Sequence, residues 1–307
     1  MDRKENNTIR IKVLLLSLCI FPLSYCYAEH VFDVGIHGGM TGWKARTTYV
    51  GAQAGGQYGA HLHYSFITPY VVGFRVGLTV DSHNASLSKK NYEDSYSTID
   101  VEDQQMDIRY SISDLHERYT TWSLGIPMQL SLTRKRFTFL AGAKAVLPFP
   151  GTWKQTVSHA ALSVYYPDFD NLVEESVPLA ASQDFDMMQT GKWKQPTVQW
   201  WLALELNYAI PLQIWSPKIK TYIVVGAYFD YCFTAYQPKL LGTESLITLT
   251  DTRAGFPLQR VLTPVMEATW HGRQMVHEIK PYDLGIKVSF AIAPYDQHAA
   301  SKQCHCL

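Results

Sequence analysis

The sequence has no long hydrophobic run after its first 28 residues. The longest later apolar stretch, from Tyr222 to Phe229, has eight residues, whereas a membrane-spanning helix needs about 18 or more. If this chain crosses a membrane, it must do so with strands, because only helices and closed sheets satisfy every backbone group within lipid.

The sequence also has few cysteines and no dominant charge. Cleavage after residue 28 would remove four of 27 basic and two of 27 acidic residues, leaving 23 and 25. This balance argues against nucleic acid as a partner. Cys232, Cys304 and Cys306 would remain, and an odd number at these spacings is not a disulfide framework. Stability must therefore come from packing or from a membrane.

The first 28 residues are typical of an export signal. Four basic residues precede an apolar stretch that runs from Val13 to about Leu23, and small residues at Cys26 and Ala28 occupy the positions that signal peptidase reads. We predict a signal peptide over residues 1–28. Lipidation of Cys26 is the less favoured alternative, because Tyr25 is bulky where a lipoprotein signal needs a small residue.

Eight segments of the mature chain alternate between apolar and polar residues, as membrane-spanning strands do. In four of them the even positions stay apolar over nine to eleven residues, and none of these four fits the helical period of 3.6. The eight segments are Phe32–Ile36, Tyr58–Phe66, Val72–Val80, Trp122–Leu132, Phe137–Leu147, Val198–Ile210, Ile223–Phe233 and Tyr282–Ile292.

The connections between these segments alternate between long and short, which is the pattern of outer-membrane barrels with periplasmic turns and outer loops. We therefore predict an all-β fold, an eight-stranded antiparallel up-and-down transmembrane β-barrel over residues 29–294. The long outer loops would cover about 81–119, 148–197 and 234–281, and residues 295–307 would form a flexible periplasmic tail.

Pro127 lies in the middle of a predicted strand. Proline cannot donate to a ladder, and a closed barrel has no free edge to host it. We expect a bulge or a locally broken ladder at this residue.

The last predicted strand resembles the signal that the barrel-assembly machinery reads. Asp283, Gly285, Val288 and Phe290 supply its polar, glycine, hydrophobic and aromatic positions at the required spacing. The resemblance implies that this machinery is a partner during biogenesis, and that these four residues carry the assembly signal.

A second resemblance is to PorT-like outer-membrane barrels. The stretch Leu124-Gly125-Ile126-Pro127-Met128 looks like the Leu-x-Ile-Pro-Leu strand of that family, and the layout agrees from Val31 to Ala293. The tail Ser301–Leu307 departs from the family pattern. One type of member is tied to protein secretion, but no motif here carries that role over.

The polar positions of the predicted strands would line the lumen, which in an eight-stranded barrel is just wide enough for side chains to fill. We expect a plug of mutually paired charges and no conducting pore, since buried charges are tolerated only when paired. The predicted lumen set is Asp33, His37, His61, His63, Arg75, Gln129, Lys144, Glu205, Asn207, Asp230, Asp283 and Lys287.

Three of these lumen residues are the candidate metal ligands. A first hairpin that turns near residues 49–50 would place His37 opposite His61 or His63, about 5 Å apart on one face. Three imidazoles could hold zinc, copper or nickel. The alternative is that the histidines donate to carboxylates such as Asp33, and we favour this alternative and expect no cofactor.

The sequence does not select one activity. We predict a protein of the outer membrane of a Gram-negative bacterium, in contact with outer-membrane lipid, with a structural or recognition role through its outer loops and an extracellular ligand that is unknown. The alternatives are a surface enzyme acting on lipid or protein, and an accessory of secretion or envelope assembly. An enzyme could use a loop histidine, but nothing in the sequence selects among His83, His116, His159 and His271.

Overall fold

The computed structural model describes residues 29–68, 71–99, 103–167, 171–173, 185–193, 198–212, 219–238, 245–250 and 259–294. The predicted signal peptide and tail lie outside these residues. No helix in the described part of the chain is long and apolar enough to cross a membrane.

Sixteen β-strands make up the regular structure of the described residues. In chain order they are β1 Glu29–Thr47, β2 Gly51–Gln53, β3 Gly55–Ile67, β4 Val72–Ile99, β5 Gln105–Arg134, β6 Phe137–Pro148, β7 Gly151–Tyr166, β8 Asn171–Val173, β9 Phe185–Trp193, β10 Gln199–Leu212, β11 Ile219–Cys232, β12 Ile247–Thr250, β13 Gln259–Leu262, β14 Thr269–Trp270, β15 Arg273–Gln274 and β16 Val276–Pro294.

Eight of these strands close a ring. Each pairs antiparallel with the next in the order β1, β3, β4, β5, β6, β10, β11 and β16, and β16 pairs with β1. Strands that neighbour in the ring also follow one another in this order along the chain, so the prediction of an all-β, antiparallel, up-and-down fold is confirmed.

The predicted alternation of faces is also confirmed. Apolar side chains point outward from the ring and remain strongly exposed, with 69% of Ile36, 65% of Leu130 and 67% of Ile286 accessible. Polar side chains at the intervening positions point inward and are buried, as Asp33 and Lys287 illustrate. The outer face of the ring is therefore a continuous apolar belt.

Pro127 interrupts its ladder on one side only. The β4–β5 pairing runs to Val76 opposite Met128 and resumes at Thr79 opposite Gly125, in the same register. On the other side, Pro127 pairs with Lys144 of β6. The ladder is thus locally broken, as the sequence predicted, and no bulge is needed.

The segment that the sequence assigned to a first long outer loop, 81–119, is mostly strand instead. β4 continues to Ile99 and β5 starts at Gln105, so the two form one hairpin that rises beyond the ring. The predicted loop 148–197 likewise contains β7, which pairs with the upper half of β5, and β9, which pairs with β7.

A change of face explains why the alternation did not reveal these strands. On β5, even positions such as Ile112 are buried before Ser113, and odd positions such as Leu115 and Glu117 are buried after it. β4 switches at Asn91 and β7 at His159, and both residues have a positive φ. Asn91, Ser113 and His159 lie side by side on neighbouring strands. The buried positions therefore change from odd to even numbers at the same height on all three strands.

Above the ring, these strand extensions pack against the described residues of the 245–279 segment and form what we call the cap. The cap comprises the upper halves of β4 and β5, β7, β9, and the described residues of 245–279. It has a hydrophobic core of its own, which includes Leu87, Tyr92, Ile108, Ile112, Leu115, Val157, Leu162, Leu246, Leu262, Val265 and Met275. The outer segments of this chain are therefore a packed structure rather than a set of separate loops.

Candidate functional site

Inside the ring, one lysine links three strands near the outer end of the lumen. Nζ of Lys144 on β6 lies 3.0 Å from Oδ2 of Asp81 on β4 and 3.1 Å from Oδ2 of Asp230 on β11. Asp283 on β16 pairs with His83 at 3.3 Å. All of these groups are at least four-fifths buried, so each ion pair also satisfies charges that could not be left alone in the interior.

A second charged cluster lies toward the other end of the lumen. Glu205 of β10 accepts from Nη1 of Arg75 at 2.9 Å and also from Lys287 of β16. Nη2 of Arg75 lies 3.6 Å from Oδ2 of Asp33, and its Nε donates to Ser65 at 3.0 Å. The predicted plug of mutually paired charges is thus confirmed for the lumen that the structure describes.

The three candidate histidines do lie together, but in a different register from the one expected. The chain does turn between Thr47 and Gly51, as expected. However, β1 and β3 pair His37 with Gly59 and Gly35 with His61, so the expected pairing of His37 with His61 or His63 is wrong. His37 contacts His61 diagonally, with their Nδ1 atoms 3.2 Å apart.

The carboxylate alternative of the sequence analysis is also present. Nδ1 of His63 donates to Oδ1 of Asp33 at 3.2 Å, and Nε2 of His37 donates to Oδ1 of Asp81 at 2.5 Å. The group of residues that could share one ion is therefore Asp33, His61 and His63, whose ligand atoms all lie within 4.8 Å of one another.

A layer of aromatic rings separates the lumen from the cap. The ring centroids of Trp43 and Tyr119 are 5.2 Å apart, and Trp193 lies 5.1 Å from Tyr119. Below this layer, beside His83, the space is a cavity of about 30 Å³. The opposite mouth is wider, with a cavity of about 130 Å³ that reaches from Asp33 and Arg75 to Lys135 and Arg136. The lumen is thus more accessible from the turn end.

One acidic side chain is buried in the cap core. Glu117 is fully inaccessible, and the backbone N–H of Val265 donates to both its carboxylate oxygens, at 3.2 and 3.0 Å. Burial raises the pKa of Glu117 to about 8; the Val265 N–H opposes this rise and the charge of Glu267 adds to it. The Glu117 side chain therefore links β5 to Val265 of the cap, and the charge of this buried group depends on pH.

The outer surface of the cap carries an open groove of about 570 Å³. Buried Asp94 forms its base and accepts from the hydroxyls of Tyr92 and Tyr110. Nδ1 of His271 lies 3.3 Å from Oδ1 of Asp94, and the His271 side chain is 61% exposed. Arg109 is exposed at the groove and stacks over the ring of Tyr165 at 4.4 Å. The groove therefore combines an ordered base with accessible cationic and imidazole groups.

The four residues of the predicted assembly signal lie on β16. Asp283 and Gly285 face the lumen, whereas Val288 and Phe290 belong to the outward set. Gly285 is required by close packing, because a Cβ there would lie 2.3 Å from the carbonyl oxygen of Gly38 and 2.6 Å from the hydroxyl of Tyr228. Recognition of these residues during assembly stays a prediction.

No protein-family model and no curated protein matches this chain. Among solved structures it is similar to the outer membrane protein OprG from Pseudomonas aeruginosa, with 9% identity, a TM-score of 0.31, and coverage of 88% of this chain and 97% of that chain.

It is also similar to Ail, the attachment invasion locus protein of Yersinia pestis, with 9% identity, a TM-score of 0.22 and coverage of 86% and 99%. A Pseudomonas aeruginosa FadL homologue matches at 9% identity and a TM-score of 0.20, with coverage of 87% and 90%. Scores this low carry no argument about function, and the resemblance to PorT-like barrels stays a prediction.

Several residues of these sites were missing from the sequence-based set. Asp81, which binds both Lys144 and His37, continues the inward odd positions of β4 by one more step beyond Thr79. Extending the alternation to residue 81 would have found it. The pairing of His271 with Asp94 joins residues 177 positions apart, and no sequence signal points to it.

Proposed function

We propose that this chain is an outer-membrane β-barrel protein of a Gram-negative bacterium that binds an extracellular ligand at the groove of its cap and does not conduct solutes. The observation that carries the proposal is the hydrophobic core of the cap. Loops that merely connect strands have no reason to bury a core, whereas a binding surface must be held in a fixed shape.

The apolar belt supports insertion in a membrane. Side chains such as Ile36, Leu130 and Ile286 are more than three-fifths exposed on the outside of the ring. Soluble monomers rarely expose a contiguous apolar patch of more than a few hundred Å². Lipid is the environment that would cover a belt on all eight strands, and outer-membrane lipid is therefore a partner in this proposal.

The membrane orientation can be tested with cysteine probes. In a chain with Cys304 and Cys306 replaced by serine, a probe at Asn91, at the face switch of the long hairpin, should react with an impermeant maleimide on intact cells. A probe at Lys135, in the tight turn between β5 and β6, should react only after the outer membrane is opened. The reverse pattern would reject the orientation.

The absence of conduction is supported by the aromatic layer of Trp43, Tyr119 and Trp193, together with the ion pairs beneath it. Purified protein in planar bilayers should give no stepwise conductance. Stable single-channel steps from the wild type would reject this part of the proposal.

Ligand binding is supported by the accessible polar groups of the groove beside its aromatic rings. Arg109 supplies a cation, Glu93 and Ser163 line the sides, and Trp270 is held by a hydrogen bond from its Nε1 to the Glu93 carbonyl at 2.6 Å. A polar ligand with a flat apolar face, such as a sugar, suits such a surface.

A glycan array probed with the detergent-purified protein tests this proposal. We expect a subset of glycans to bind, with at least a ten-fold loss in Arg109→Ala. Lys154→Ala, which alters an exposed lysine of β7 that does not line the groove, is the matched control and should bind normally. No bound glycan, or equal binding by Arg109→Ala, would reject the sugar-binding groove.

One observation favours a second candidate, hydrolysis at the same groove. Asp94 holds one nitrogen of His271 and leaves the other available, which is how a carboxylate orients a general base. Cells displaying the protein should then cleave an ester or peptide substrate, and His271→Ala should abolish the cleavage. Equal cleavage rates for the wild type and His271→Ala would reject hydrolysis at this groove. For the third alternative, an accessory role in secretion or envelope assembly, no contact among the described residues gives support.

A further inference from the structure

We propose that Asp33, His61 and His63 bind one divalent transition-metal ion, such as Zn²⁺, Cu²⁺ or Ni²⁺, inside the turn end of the lumen. The three residues lie on two neighbouring strands, β1 and β3, and each is at least 96% buried. The inference does not depend on the ligand proposed for the cap.

Two of the three distances between the ligand atoms are close to those of a tetrahedral site. Bonds of about 2.0–2.1 Å from a tetrahedral zinc ion place neighbouring ligand atoms about 3.4 Å apart. Oδ1 of Asp33 lies 3.2 Å from Nδ1 of His63 and 3.6 Å from Nε2 of His61. All three ligand atoms lie within 4.8 Å of one another. The rings of His61 and His63 are stacked with centroids 4.6 Å apart, so they would tilt toward each other to enclose an ion.

The positions of the protons supply an independent argument. Nε2 of His37 must carry a proton, because it lies 2.5 Å from the carboxylate of Asp81. In a neutral His37, Nδ1 is then an acceptor. It accepts a hydrogen bond from the protonated Nδ1 of His61, at a distance of 3.2 Å. Nε2 of His61 is left as a bare lone pair, and it faces Oδ1 of Asp33.

In this protonation state the two facing lone pairs repel each other, and a positive charge between them would remove the repulsion. Nε2 of His61 has no hydrogen-bond partner among the described residues and is inaccessible to solvent, so water outside the site does not relieve the repulsion. A metal ion would bind both atoms. The other ring nitrogen of His61 would keep its hydrogen bond to His37, which in turn donates to Asp81. Metal-bound imidazoles usually donate their other N–H to such a fixed acceptor.

His63 completes the set if its proton moves from Nδ1 to Nε2, which frees Nδ1 to bind the metal. Its Nδ1–H now donates to Asp33, whereas its Nε2 has no hydrogen-bond partner in the described residues. Moving the proton from Nδ1 to Nε2 therefore breaks no other hydrogen bond. The ring has space because residue 77 is glycine: a Cβ there would lie 2.3 Å from Cδ2 of His63.

The surrounding charges favour a metal that imidazole binds strongly. Arg75 occupies the other oxygen of Asp33, and Lys287 pairs with Glu205, so the two cations and two carboxylates of this cluster cancel. Without a net negative field, Ca²⁺ and Mg²⁺ have little to hold them, whereas Zn²⁺, Cu²⁺ and Ni²⁺ bind neutral imidazole. The cavity of about 130 Å³ beside Asp33 and Arg75 provides an entry path from the turn end.

Metal titration of the refolded barrel tests the inference. The protein should carry no affinity tag and should have Cys304→Ser and Cys306→Ser, so that its tail cannot bind the ion. Calorimetry with ZnCl₂ should give one ion per chain. His61→Gln should weaken binding at least 100-fold, and Gly77→Ala at least ten-fold. His30→Gln changes a histidine on β1 that lies outside the cluster and should bind as the wild type does.

A spectroscopic measurement on the unsubstituted site keeps the test independent of whether the variants fold. Cu²⁺-loaded protein should give an electron paramagnetic resonance spectrum with hyperfine coupling to two nitrogens. Absence of stoichiometric binding, unchanged affinity in folded His61→Gln, or a Cu²⁺ spectrum without nitrogen coupling would each overturn the proposal. The first result would mean that a shared proton supplies the positive charge.

Discussion

Arg75 and Glu205 form an ion pair across the inside of the ring, with Nη1 of Arg75 2.9 Å from Oε2 of Glu205. They lie on β4 and β10, which are separated in the ring by β5 and β6. The same carboxylate accepts from Lys287 of β16. One side chain thus links three strands through the lumen.

Replacing this carboxylate should strongly destabilise the ring. Glu205→Leu removes the carboxylate that Arg75 and Lys287 share, so that Arg75 keeps only Asp33 and the buried Lys287 loses its ion pair. An uncompensated buried charge costs about 3–5 kcal/mol. Urea unfolding of the protein in lipid vesicles, followed by tryptophan fluorescence, measures the loss.

The control for this prediction is Glu29→Gln, which removes a pair with Lys220 at a partly exposed site. Surface pairs contribute about 0–1 kcal/mol, so this variant should unfold close to the wild type. A loss below about 1 kcal/mol in Glu205→Leu would contradict a stabilising role of the network.

Leu204→Arg tests the outward face of β10. Leu204 alternates with the inward residues Ala203 and Glu205, and its cross-strand neighbour is Phe229. An arginine facing lipid near the midplane should cost about 2–4 kcal/mol of folding free energy. Leu204→Ala, which adds no charge, is the comparison, and vesicle-based unfolding of Leu204→Arg at wild-type stability would reject the assignment of this face to lipid.

The cap should lose stability as the pH rises, because of Glu117. Its pKa is about 8 in the folded cap and about 4.5 when unfolded, so between these values the folded state holds a proton that the unfolded state releases. This contribution is fully present below about pH 4.5, falls as the pH rises toward 8, and amounts to a few kcal/mol.

Hydrogen exchange of peptides from β5 and from residues 259–279, corrected for the intrinsic rate, measures cap opening over this range. Glu117→Gln should remove the pH dependence between about 4.5 and 8, because it stays neutral throughout. Glu93→Gln, at an exposed position of β4, should retain it. A wild-type cap equally protected at pH 5 and pH 8 would contradict the prediction.

Phe290→Ala tests the assembly signal. Phe290 pairs with Val34 and Ile223 on the outer side of β16, and it supplies the aromatic position of the predicted signal. We expect lower outer-membrane yield and more periplasmic degradation. Phe290→Tyr keeps an aromatic ring and should restore the yield. Normal yield for Phe290→Ala in quantitative immunoblots would mean that another segment carries the signal.

The sequence alone determined the ring. An apolar outer face and a narrow polar lumen impose a two-residue period. That period is local, so it can be read strand by strand from segments such as Trp122–Leu132 and Tyr282–Ile292. The same local pattern assigned the charged residues to the lumen, and proline chemistry at Pro127 predicted the interrupted ladder.

The tertiary structure decided what depends on register and on long-range contacts. The offset between β1 and β3 set which groups meet, so that Asp33 joins His61 and His63 while His37 pairs with Asp81. The alternation pattern did not predict the strands of the cap, because these strands change their buried face at Asn91, Ser113 and His159. A periodic pattern fixes which way each side chain points, but it contains no information on which distant side chain it will meet.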